Sequence, residues 1–71
     1  MIEETIEVLR AAIATNTEVG ANIRHNLEPV DMPFKFAIAI DMNLSDLHDR
    51  TYDLQRLLKK LEDVAAKARK K

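Results

Sequence analysis

The sequence predicts an all-α chain, an antiparallel helical hairpin that assembles into a dimeric helical bundle. Two seams and one size argument predict it. From Ala37 to Ala68, residues recur at alternating spacings of three and four: Ala37, Ile40, Leu44, Leu47, Thr51, Leu54, Leu58, Leu61, Ala65 and Ala68. Only Thr51 in that series is polar. An unbroken alternation of this kind is the a/d seam of a helix that lays one long stripe against another helix. Asp49, Arg56, Asp63 and Lys70 lie farthest from the seam, and all are charged. The same alternation runs earlier through Ile2, Ile6, Leu9, Ile13, Asn16, Gly20, Ile23 and Leu27. Lastly, the chain has 71 residues. Below about 70–80 residues a single core rarely supplies more than about 3–5 kcal/mol, so folds this small lean on disulfides, metals or partner chains. There is no cysteine. That removes disulfides and thiolate metal sites, and leaves oligomerisation.

The whole chain, 1–71, reads as a single helical domain. The first helix is expected over 2–27, with Ala12 and Val19 widening its stripe. Glu3, Glu4 and Glu7 fall in its first two turns, where carboxylates favour the positive end of the helix dipole. Pro29 disfavours helical geometry at Glu28, so the helix should stop near Leu27. Its centre is unusual. Asn16 and Gly20 occupy successive core positions, among Ala11, Ala14, Thr15, Thr17 and Ala21. A close helix crossing with a register-setting asparagine explains this pattern. A break at Gly20 with Asn22 as a cap, or a small pocket, are the alternatives.

The connection is 28–33, short enough to make the two helices antiparallel neighbours. Asp31 can cap the next helix, and Pro33 is tolerated in a first turn. Residues 34–70 are expected to be helical, with a break at 41–45 as an option. Asp41, Asn43 and Ser45 are all capable caps, which would leave a short extra helix at 33–41. The segment 34–40 also alternates apolar and other residues with period two, a strand signature. A strand there would have to pair with another subunit. On a helix, Ala37 and Ile40 continue the seam, while Phe34, Ile38 and Met42 make a second stripe. Leu57 and Val64 widen the seam further on.

Charge is balanced, with 11 basic and 12 acidic residues. A balanced chain has no global field to draw nucleic acid or anionic lipid. The basic residues Lys59, Lys60, Lys67, Arg69, Lys70 and Lys71 favour the helix C-terminus and would lie beside Glu3, Glu4 and Glu7 in a hairpin. No aromatic residue interleaves them, so single strands have no stacking platform. No run of about 18 apolar residues occurs, so no membrane span is expected. The acidic start does not resemble a signal peptide, and the chain is expected to be cytoplasmic.

Chemistry-bearing motifs are sparse. There is no nucleophile elbow, no phosphate loop, and no HExxH or Glu-x-x-His pair. His25 and His48 lie off both seams and read as solvated. No enzyme activity, cofactor or metal site is therefore expected. Arg24, His25 and Lys35 cluster around the connection and are the candidate contacts for a small phosphorylated ligand. Phe34, Phe36, Ile38 and Met42 gather an apolar patch near the turn, off the main seam. Together with Leu57 and Val64 they are the candidate interface with a partner or a second copy, and Asn16 and Gly20 form the polar core. The expected function is a non-enzymatic protein-binding module, a regulator or inhibitor acting as a helical homo-oligomer. A nucleic-acid-binding bundle using the basic C-terminal end, and an oligomeric binder of a phosphorylated ligand, are the rival expectations. In outline the chain resembles small dimeric helical hairpins, a likeness of shape that implies no function.

Overall fold

A computed structural model describes residues 1–69 of the chain. It is an antiparallel hairpin of two helices, α1 (Ile2–Leu27, 26 residues) and α2 (Phe34–Arg69, 36 residues). The molecule is a rod measuring 58 × 16 × 14 Å. Its long dimension matches α2 itself, since 36 residues rise about 54 Å.

The two seams meet along the rod. Ile6, Leu9, Leu44, Thr51 and Ala65 are buried. The other seam members from Ile2 to Leu27 and from Ala37 to Leu61 are half-buried. Ala68 alone falls outside the pattern and is exposed. The register is fixed by contacts at two levels. Arg10 of α1 bonds Glu62 of α2, and a Cβ placed on Gly20 would meet Leu47 Cδ2 at 3.7 Å.

Three local expectations are corrected. First, α2 runs without interruption from Phe34, so there is no separate helix at 33–41, no break at 41–45 and no strand at 34–40. Asp41, Asn43 and Ser45 are capable caps, but ending the helix there would break the seam at Ile40, Leu44 and Leu47. Packing of the stripe outweighs their local preference. Second, Glu28 keeps helical geometry (φ −53, ψ −45) despite preceding Pro29, and its N–H donates to the Arg24 carbonyl at 2.9 Å. The helix ends at Leu27 because Pro29 has no N–H to return to the His25 carbonyl. The Val30 N–H instead bonds the Leu27 carbonyl at 3.0 Å and turns the chain. Third, Gly20 does not break α1, which is continuous and has no residue at positive φ.

The start of α2 is set by Pro33, whose carbonyl accepts from the N–H groups of Phe36 (3.0 Å) and Ala37 (3.1 Å). Pro33 suits that place because a helix start leaves its own N–H groups without partners. Asp31 contributes no side-chain hydrogen bond to this turn among the described residues.

Candidate functional site

Two helices have two flanks beside their shared seam, and here the flanks differ in chemistry. One residue after Leu9, Asn16 and Ile23 come Arg10, Thr17 and Arg24. In an antiparallel pair these face the corresponding row of α2, which holds Asp41, His48, Gln55 and Glu62. The Arg10–Glu62 ion pair, 2.6 Å, confirms that alignment. It is the one ion pair among the described residues, and both side chains are substantially exposed. It is therefore worth only about 0–1 kcal/mol. The expected pairing of Glu3, Glu4 and Glu7 with Lys67 and Arg69 is not formed among the described residues. Lys70 and Lys71 lie outside the described residues, so the expectations placed on them are not addressed.

Two open clefts lie on this charged flank. The larger, about 400 Å³, sits at the turn end between Ile23, Leu27, Met32 and Ile40, with Arg24, Glu28 and Asp41 at its margin. The smaller, about 250 Å³, sits at the middle of the rod, lined by Asn16, Gly20, Leu47 and Thr51, with Arg24 and His48 also contributing. The small residues of α1 leave this second hollow. Asn16 and Thr51 thus line one hollow beside the seam, with no hydrogen bond between them among the described residues. The Thr51 hydroxyl donates to the Leu47 carbonyl at 2.7 Å, and no buried side-chain polar atom among the described residues lacks a partner.

The candidate anion contacts do not share one hollow. Arg24 lines both clefts, whereas His25 and Lys35 line neither and are exposed. His48 and His25 belong to no metal-ligand group among the described residues. No described helix is long and apolar enough to cross a membrane.

The apolar candidates are the outstanding feature of the surface. Phe34 is 77% exposed, Phe36 63%, Ile38 42%, Met42 64%, Leu57 46% and Val64 54%. The turn-end patch is therefore not buried against the chain's own α1. The reason is geometric: α1 touches only the seam side of α2, and the stripe through Phe34, Ile38 and Met42 lies on another side. Val30 at the turn is also exposed, and adds to the patch. Sequence reasoning passed over Val8 and Tyr52, exposed at 67% and 57%. Both lie outside the seam and its widening positions, so the seam pattern gave no reason to single them out. The Arg10–Glu62 pair was also missed, although both residues flank their seams in the same way.

No family model, no curated protein and no solved structure matches the chain.

Proposed function

We propose that the chain is a small non-enzymatic protein-binding module that works as a homodimeric helical bundle and captures another protein at its turn end. One observation carries this reading: the hairpin exposes far more surface than a self-sufficient fold of its size. Its accessible surface is 6072 Å² at 8.1 kDa. A compact monomer of that mass exposes about 4,500 Å². The radius of gyration is 16.6 Å, against about 11 Å for a compact chain of this length. The excess of roughly 1,500 Å² exceeds the roughly 800 Å² that each partner buries in a standard interface. The core agrees, because no large side chain among the described residues is fully buried.

Capture of a second protein rests on the turn end. Phe34, Ile38 and Met42 form an exposed apolar stripe beside a cleft lined by Ile23, Leu27 and Met32. An apolar helix laid on such a surface would bury the stripe and fill the hollow together. A regulator or inhibitor acting by occupation needs no chemistry beyond this.

The test has two arms. Light scattering reads assembly, and affinity capture with the wild-type chain beside Phe34→Asp reads partner binding. The expected result is a dimer for both proteins, with a captured protein lost in the variant. Retention of the same bound protein by Phe34→Asp would remove the turn end from the reading. Capture of RNA or DNA, with affinity falling steeply as salt rises, would replace protein with nucleic acid as the partner.

A further inference from the structure

We propose that a second copy of this chain packs on the flank opposite Arg10 and Glu62, with the two hairpins antiparallel about a two-fold axis that passes beside Leu57 and Ala12. This rests on the reading that the chain assembles with itself, and it adds the face and the orientation.

The first observation is the contrast between the flanks of α1. On the side away from Arg10 and Arg24 the row runs Thr5, Val8, Ala12, Thr15, Val19 and Asn22, without a charged side chain. All but Ala12 are exposed, and Ala12 is half-buried. On α2 the same flank, one residue before each seam position, runs Phe36, Asn43, Arg50, Leu57 and Val64; Leu57 and Val64 are each about half exposed, and Arg50 is the one charged side chain of the row. A helix in a four-helix bundle needs a third apolar row beside its a/d seam, and this flank supplies an uncharged row along α1 and the pair Leu57 and Val64 on α2. The other flank is charged and holds the ion pair.

The second observation is charge. Just outside Leu57 and Val64, α2 carries Asp46, Asp53, Lys60 and Lys67 in one row at seven-residue spacing. Its acids lie toward the turn and its lysines toward the termini. A row that reverses sign halfway along is repelled by a parallel copy of itself and attracted by an antiparallel one. Antiparallel pairing sets Asp53 against the partner's Lys60 and Asp46 against the partner's Lys67. The axis then falls midway between Asp53 and Lys60, beside Leu57, which meets its own copy.

The third observation comes from the other helix. About an axis beside Ala12, Val8 of α1 meets the partner's Thr15, and Thr5 meets the partner's Val19. Each pairs a smaller residue with a larger one, and Ala12 at the centre lets the two helices approach. The hairpin register puts Ala12 and Leu57 level, because Arg10 meets Glu62 and Gly20 meets Leu47. The charge row on α2 thus sets the height of the axis, and at that height α1 presents its small Ala12. The same arrangement brings the partner's Arg69, the last described residue, level with Leu44 and Ser45. Among the described residues, then, the partner does not reach the stripe of Phe34, Ile38 and Met42, which stays free at both ends of the dimer.

The chain has no cysteine, so single cysteines test the face directly. Leu57→Cys and Ala12→Cys are each compared with Tyr52→Cys, whose site is exposed and away from the proposed face. Under mild oxidation, Leu57→Cys and Ala12→Cys are expected to give covalent dimers while Tyr52→Cys stays unlinked. Ala12→Cys keeps the test valid if Leu57→Cys weakens folding. Orientation is read from sedimentation. Asp53→Lys is expected to weaken the dimer about tenfold, and the double variant Asp53→Lys with Lys60→Asp to restore it. A dimer that links through Tyr52→Cys and through neither of the others overturns the face while leaving self-assembly standing. A dimer indifferent to Asp53→Lys overturns the antiparallel order. A chain that stays monomeric overturns the reading on which both depend.

Discussion

Asn16 puts an amide at the middle of the α1 seam, between Ile13 and Gly20, and lines the same hollow as Thr51 of α2. A half-buried amide contributes less than an apolar side chain there, but the open hollow keeps its polar atoms in water, whereas a shifted register would set them against leucine. Register is then specified at some cost in stability. Asn16→Leu is expected to raise stability by about 1 kcal/mol, since it buries part of a leucine. It is also expected to broaden the oligomer distribution in light scattering. A variant that lost stability and kept one oligomeric state would count against this role. Gly20 has a different position. The nearest atom to an added Cβ is Leu47 Cδ2 at 3.7 Å, an ordinary contact. No conformational need for glycine exists, because α1 has no positive φ. Gly20→Ala should therefore stabilise the protein by about 0.5–1 kcal/mol in thermal or denaturant unfolding, the usual helix-interior difference. Destabilisation by that change would mean that Gly20 is needed for an approach the hairpin alone does not contain.

At the scale of the elements, the two helices owe their stability to the seam more than to their ends or their ion pair. Arg10→Ala is expected to cost no more than about 1 kcal/mol in chemical denaturation, because the pair it breaks is exposed. Leu44→Ala, in a buried seam position, should cost about 2–3 kcal/mol by the same measurement. Comparable losses for the two would contradict the primacy of the seam. This hierarchy also explains what was legible in the sequence. Both helices, the connection and nearly every seam residue could be read from spacing, because burial along a two-helix contact follows the three–four alternation directly. What spacing could not decide was local competition. At 41–45 three capable caps opposed an unbroken seam, and the seam prevailed. At Glu28 a preference about backbone angles gave way to one more helical hydrogen bond. Ion pairing between flanks depends on the register across the turn, which spacing within one helix does not contain.

For the whole molecule, the rod shape is the central fact. A hairpin of 58 × 16 × 14 Å leaves Phe34, Phe36, Met42, Val8 and Val64 more than half exposed. A dimer that covers the flank of Val8 and Leu57 would shelter those two residues and leave the turn-end stripe for a partner. Such a dimer folds and associates in one step, so its melting temperature should rise with protein concentration. The direct measurement is sedimentation equilibrium or light scattering of the purified chain at micromolar concentration. The expected mass is twice the 8.1 kDa of one chain. A folded monomer of 8.1 kDa, melting cooperatively at a temperature independent of concentration, would contradict the account.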